Sequence, residues 1–417
     1  MKRLGFISFT LITFLISSFS GAQNNNSWTD YRGPSIDGHS SAKNVPILWN
    51  DSTNIDWKTE IPGTGWSSPV ILDSQIWITS ALDKGHSLWA CCLDLESGDM
   101  IHQIELFFQD STQESHPLNS FASPTPAIEK DRVYVHFGAY GTACINSLNG
   151  QILWERRDIL CEHEVGPGSS PVLYRNLLIF NMDGVDVQYI IALDKKTGKT
   201  VWKTYRGLDL SEKRVDEKKA FYTPIISKID GDDQLISPGP HAVMGYNPLD
   251  GKQIWMVKYR GFSGSSRPLI SKNTLYVNTG FGFSSIVAIT LGGRGDLTET
   301  SIIWENRKSM QARSSPLIID NLYYMINTGG QAKCINPATG EVIWTERVGR
   351  HTSASPVYAE GKIFTFDEEG LCTIFKPGKV FKKVAENQLP DGCMASPALI
   401  DNALIIRTKK FLYRLEN

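Results

Sequence analysis

The sequence predicts an all-β fold: an eight-bladed β-propeller of four-stranded antiparallel blades, closed by an N-terminal strand that completes the C-terminal blade. Three observations carry this reading. The first is a recurrent proline, at Pro69, Pro126, Pro171, Pro224, Pro268, Pro316, Pro356 and Pro397, with Ser or Thr before all but Pro268. Adjacent prolines are 40 to 57 positions apart, and a period in this range marks a repeat architecture. The second is a glycine followed four positions later by tryptophan, as in Gly150/Trp154, Gly198/Trp202, Gly251/Trp255 and Gly340/Trp344. The third is the alternation of short β-branched and aromatic runs with Gly, Asn and Asp turns, with no helical periodicity between them.

Each repeat supplies four strands in order. The first is the apolar run after the proline, such as VIL at 70–72 or LII at 317–319. A polar turn follows, at Asp73-Ser74, Lys130-Asp131, Arg175-Asn176, Asp320-Asn321, Glu360-Gly361 and Asp401-Asn402. The second strand is β-branched and aromatic (IWIT, VYVHF, LYVNT, IFTF), and the third resembles IIALD or VAIT. A second turn holds Gly98, Gly150, Gly198, Gly251, Gly340 or Gly378, and the fourth strand carries the tryptophan. Only 20 residues follow Pro397, room for three strands. The missing fourth strand is NIDWKTEI at 54–61, with Trp57 in the fourth-strand pattern. Pairing it with the chain end closes the ring and removes an open sheet edge.

The repeat explains its own residues. Proline opens the innermost strand, which pairs on one side, so its missing N–H costs little. The tryptophans pack between blades. Trp304 takes the same role after the longer turn LGGRGDLTETS, His102 replaces Trp in blade one, and blade seven has Phe381 one position early with Lys382 at the expected place. Cys92, Cys144, Cys334 and Cys372 each lie six residues before a turn glycine, where Ala192 and Gly245 stand in blades three and four. This is a small-residue core position, and the four are expected to be reduced and buried.

Residues 1–22 read as an export leader: Lys2 and Arg3, an apolar run to Phe19, then Ser20-Gly21-Ala22. Residues 23–53 read as an N-terminal extension and 54–417 as one propeller. The run is too short for a confident membrane span, and the first cysteine is Cys91, so no stable membrane anchor is expected. The formal net charge is −2, and losing Lys2 and Arg3 makes it more negative, so nothing points to nucleic acid.

ALDKKTGKTVW (192–202) and CINPATGEVIW (334–344) resemble the docking motif of the pyrroloquinoline-quinone (PQQ) propeller family. WTDYRGPSIDGHS (28–40) and WKTEIPGTGWSSPV (57–70) resemble the secreted PQQ-like repeat proteins of Bacteroidetes and Planctomycetes. The resemblance covers the whole chain after the leader. It implies kinship with quinone-dependent alcohol and sugar dehydrogenases and with BamB, a lipoprotein scaffold of outer-membrane protein assembly. The dehydrogenases often carry a vicinal disulfide above the quinone, and Cys91-Cys92 is a vicinal pair, but within a predicted strand. A CxxCH heme site is absent, no Glu/Asn/Asp calcium set is recognisable, and the lipid-anchor cysteine of BamB is missing.

The loops leading into the first strands and those joining strands two and three share one face, the upper mouth. Departures from the repeat there mark candidate ligand residues. Arg267 replaces the hydroxyl residue before proline, and Arg313 stands three residues before Pro316, where other blades have Ser123, Gly168, Ser265 or Ser353. The lead-in loops add Trp66, His116, Asn119 and His163, and a strand two–three loop adds Asp186. Guanidinium binds carboxylate and sulfate bidentately, so a carbohydrate, an anionic small molecule or a protein is the expected partner. The competing reading pairs the arginines with Asp183, Asp186 or backbone carbonyls. No HxH or HExxH spacing occurs and no metal is expected. The sequence therefore reads as an exported binding or scaffold propeller without a cofactor, with a link to polysaccharide utilisation. The alternative is a quinone-dependent dehydrogenase, with PQQ and calcium, or a carbohydrate-active enzyme using the same mouth.

Overall fold

The computed structural model describes residues 27–50, 53–308 and 310–417; the expected leader lies outside the described residues. Two strands precede the first repeat, β1 (Ser27–Trp28) and β2 (Ile55–Glu60). Blade one follows as β3 (Val70–Leu72), β4 (Gln75–Leu82), β5 (Ser87–Asp94) and β6 (Met100–Phe108). Seven further sheets repeat this order, giving eight blades. In blade eight, β2 is antiparallel to Phe411–Leu415, with Ile55 opposite Leu415 and Glu60 opposite Phe411. The closure read from the sequence is the closure observed. Among the described residues the one α-helical turn, Thr298–Ser301, lies in the long LGGRGDLTETS turn, as does Gly295–Asp296, which adds to blade four in parallel. Among the described residues no helix is long and apolar enough to cross a membrane.

The blades are joined at two radii. At the outer radius five tryptophans reach into the next blade, while Trp255 donates within its own blade to Gln234 Oε1 at 2.8 Å. The indole N–H groups of Trp57, Trp154, Trp202, Trp304 and Trp344 donate to the carbonyls of Leu95, Lys195, Pro248, Pro337 and Gly378, at 2.9 to 3.0 Å. The turn glycine must be glycine because the ring lies on it: at Gly98, with φ +73°, a Cβ would sit 2.5 Å from Trp57. Within its own blade the tryptophan follows a β-bulge and faces the small residue: Trp154 opposes Cys144, Trp202 Ala192, Trp255 Gly245 and Trp344 Cys334. His102 opposes Cys92 in the same register, packs tilted against Trp77 and lies against the next turn glycine, Gly150, so it substitutes for tryptophan as expected.

At the inner radius the Ser/Thr before each proline forms a circular belt. The backbone N–H of Ser68 donates to Thr125 Oγ1, Thr125 to Ser170, Ser170 to Thr223, Arg267 to Ser315, Ser315 to Ser355, Ser355 to Ser396 and Ser396 back to Ser68, at 2.9 to 3.1 Å. Each neutral bond contributes about 1 kcal/mol. The belt breaks between Thr223 and Arg267, where there is no hydroxyl to accept.

Residues 27–50, read from sequence as an extension, enter the ring. β1 pairs with the innermost strand β3, so the chain climbs the channel wall. Thr29 accepts from Ile128 N in blade two. Asp30 forms an ion pair with Arg267 of blade five. The Tyr31 hydroxyl meets Ser315 and Ser355, and Arg32 donates to the carbonyls of Pro356 (2.7 Å) and Pro316 (3.3 Å). The chain then descends along blade seven, bridging His39 to Tyr358, and Ser40 Oγ donates to Leu399 O of blade eight. Trp49 is buried beside Ala385 and Phe366, sealing the seam after blade seven.

All seven cysteines are buried and free. Cys91 and Cys92 lie in β5 and join different cores. Two details of the reading change in blade seven. Cys372 opposes Asn387, and the small-residue position falls on Ile374 opposite Ala385, because the third strand runs four residues past Cys372, to Lys376, before it turns. Phe381 packs on Trp344 from outside the repeat register.

Candidate functional site

The lead-in loops surround a cavity of about 380 Å³ at the upper mouth. Its floor is Tyr31 with the belt hydroxyls of Ser68, Thr125, Ser170, Thr223 and Ser396. The N-terminal arm therefore makes the channel blind from below. Aromatic faces of Trp66, Phe221, Phe262 and Phe281 form its walls, and the described polar lining includes His116, Asn119, Asp216, Lys219 and Arg313. Trp66 N donates to Ala122 O and Phe221 N to Gly264 O, tying these two loops to the next blade, and Phe262 and Phe281 exchange backbone bonds with each other.

Four of the seven sequence candidates meet here: Trp66, His116, Asn119 and Arg313. Trp66 is half-buried with its indole N–H unpartnered among the described residues. Asn119 organises the loops, donating to Val165 O at 2.9 Å and accepting from Ser120 N and Ser123 Oγ. His116 Nδ1 accepts from Leu118 N at 3.1 Å, which leaves its Nε2 for the cavity. Arg313 pairs with Glu368, which also accepts from Ser353 Oγ at 2.8 Å.

The other three lie elsewhere. Arg267 is buried below the floor, paired with Asp30 and donating to Pro224 O at 3.2 Å. His163 is buried between blades two and three, where its Nε2 accepts from Ala139 N at 3.0 Å. Burial lowers its pKa to about 4, so it is neutral at pH 7. Asp186 accepts from Glu162 N at 2.7 Å beside a separate shallow depression. Asp183, weighed as an arginine partner, does hold one: a buried bidentate pair with Arg206 at 2.6 and 2.7 Å. The carboxylates that neutralise Arg267 and Arg313 are Asp30 and Glu368.

Sequence reasoning found Trp66 but missed the walls Phe221, Phe262 and Phe281, Lys219 with its partner Glu164, and the floor. Phe221 stands three residues before Pro224, in register with Trp66 before Pro69, and that register was the available signal. Phe262 and Phe281 lie outside any repeat position.

Two chemistries can be tested against this lining. Calcium takes six to eight oxygen ligands, typically with several carboxylates. Asp216 is the only carboxylate of the described lining, and no group of three or more His, Cys, Asp or Glu is placed to hold a metal among the described residues. The vicinal cysteines are sealed in cores. These residues do not fit a calcium-bound quinone. They also lack two carboxylates facing each other across the mouth, the arrangement glycoside hydrolysis needs.

Eight four-stranded blades locked by tryptophan–glycine contacts, around a blind mouth, define a propeller of the PQQ-repeat class. The sequence profile of the family described as outer membrane protein assembly factor BamB matches residues 186–416, more than half of the chain, and the chain belongs to that family. No curated protein sequence matches it. Among solved structures, BamB from Moraxella catarrhalis superposes with a TM-score of 0.61 at 11% identity, covering 87% of this chain and 99% of that one. A europium-containing methanol dehydrogenase gives 0.70 at 10% identity, covering 95% and 99%. The quinohemoprotein alcohol dehydrogenase of Comamonas testosteroni gives 0.66 at 11%, covering 95% and 81%. At these identities the likeness is one of fold.

Proposed function

We propose that this chain is an exported binding propeller that takes a small carbohydrate in the cavity at its upper mouth. The observation that carries this reading is the lining itself. Aromatic faces and hydroxyls surround a blind cavity of about 380 Å³ that lacks a facing pair of carboxylates among its described residues. Flat apolar walls suit the C–H faces of a sugar ring, and hydroxyls suit its oxygens. The leader-like segment at residues 1–22 supports export, to the periplasm or beyond it. The family's description as an assembly factor supports binding rather than turnover.

Calorimetry against a panel of mono- and disaccharides tests the reading. A hit must weaken at least tenfold in Phe262→Ala and stay unchanged in a substitution at the exposed Leu249, far from the mouth. Dye-linked oxidation of alcohols or sugars after addition of PQQ and calcium, abolished by Phe262→Ala, would replace it with the dehydrogenase alternative.

A further inference from the structure

The belt commits its hydroxyls in one direction. Each Oγ accepts the N–H of the neighbouring blade, which fixes the oxygen and spends one lone pair. Ser68, Thr125, Ser170, Thr223 and Ser396 are each at least 95% buried and line the cavity. Among the described residues none of these five O–H groups has an acceptor. Five donors thus gather around one axis at the floor of a blind cavity.

The charge around them is positive. Arg267 is cancelled by Asp30, and at the rim Arg313 is cancelled by Glu368. Arg32, directly after the floor residue Tyr31, is held by the carbonyls of Pro316, Pro356 and Asp37. The Asp37 carboxylate is itself bonded to His39 and Ser35. Arg407 donates to Ser67 O and Oγ, one residue from Ser68, with no carboxylate partner among the described residues. Burial lowers both guanidinium pKa values to about 10, which leaves them charged at neutral pH. Arg407 is held by neutral oxygens alone, and Arg32 lies near Asp37 and the Asp30 that Arg267 already engages, so three buried guanidiniums face two carboxylates and keep an excess of positive charge that an anion can satisfy.

We infer that the floor of the cavity is a carboxylate subsite, so that the preferred ligand is a sugar acid seated carboxylate-down between the five hydroxyls. The inference rests on the carbohydrate reading above and moves anion recognition from Arg267 and Arg313 to the belt. Charge-assisted hydrogen bonds from several preorganised donors outweigh a neutral hydroxyl at the same place.

The test uses the unmodified chain and four probes in calorimetry: D-glucuronate, its methyl ester, D-glucose and benzoate. Glucuronate is expected to bind at least tenfold more tightly than the ester or glucose. Neutral sugars binding as tightly as the acid would overturn the carboxylate subsite and leave the carbohydrate reading standing. Benzoate binding with no sugar binding would do the reverse, and no binding by any probe would remove both. Thr223→Val, at the break in the belt, is expected to weaken glucuronate at least fivefold and glucose less than twofold. Thr223→Ser is expected to restore the acid preference. Equal losses for acid and neutral sugar in Thr223→Val would also overturn the inference.

Discussion

Asp30→Ala isolates what the arm does for the ring. Its carboxylate is the charge partner of Arg267, whose side chain is 2% exposed against 17% for Asp30. Without it the guanidinium keeps the Pro224 carbonyl, and its Nε is already unpartnered among the described residues. Breaking a buried pair by removing one partner costs about 3–5 kcal/mol, because the remaining charge stays desolvated. Asp30 is not wholly buried, so water reaches part of the site and the lower end, about 3 kcal/mol, is expected. The repeat supplies the control. Every other blade has Ser or Thr where blade five has Arg267, and that hydroxyl would accept from Thr223 N and close the belt. The double variant Asp30→Ala with Arg267→Ser removes the stranded charge and adds a bond of about 1 kcal/mol. It should recover at least half of the loss. Urea unfolding followed by both tryptophan fluorescence and far-ultraviolet dichroism measures this, with coincident transitions required for a free-energy reading. A loss below 1 kcal/mol in Asp30→Ala, or a double variant no better than the single one, would refute the account.

Other outcomes follow from the same structure. Trp202→Ala removes an indole that bridges two blades and should cost about 3–5 kcal/mol by the same unfolding assay. Thiol titration of the native protein should find none of the seven cysteines reactive, and all seven in denaturant, since burial raises the pKa of each; a fast-reacting thiol would contradict the packing. Stability should fall on acidification below pH 6.5. Burial lowers His136 to about 3 and His163 to about 4, so between those values and 6.5 the unfolded chain binds more protons than the native one. By pH 5 each imidazole costs about 2 kcal/mol, and His163→Gln should flatten the slope.

The architecture was legible because it is periodic. Eight prolines, the glycine–tryptophan spacing and the short last repeat determine blade number and closure, since each position recurs under the same steric demand. What occurs once was harder to read. The path of residues 27–50 depends on complementarity with six different blades, and nothing in WTDYRGPSIDGHS states that Asp30 meets Arg267 across 237 positions. Arg267 and Arg313 were correctly seen as departures from the repeat, but their partners come from non-repeating loops. The pre-proline hydroxyls were noticed as a pattern, and their role as a belt needed the ring to be closed. Cys372 shows the reverse hazard: an equal spacing to glycine in sequence marks a different place in space, because the third strand of blade seven runs on to Lys376.

Ring closure also sets the order in which the molecule can be completed. β2 and the strand Phe411–Leu415 belong to one sheet, yet they are made at opposite ends of synthesis. Blades one to seven can form as the chain emerges, but β2 must wait for a partner about 350 positions later. Joining ends that far apart costs on the order of 5 kcal/mol in chain entropy, and growth of that cost with length is slow. The arm offsets it by touching blades that already exist: one, two and five to seven. It can hold β2 near the vacant edge before the last strand arrives. A mutation in the arm should therefore slow the final step of folding as well as weaken the finished ring.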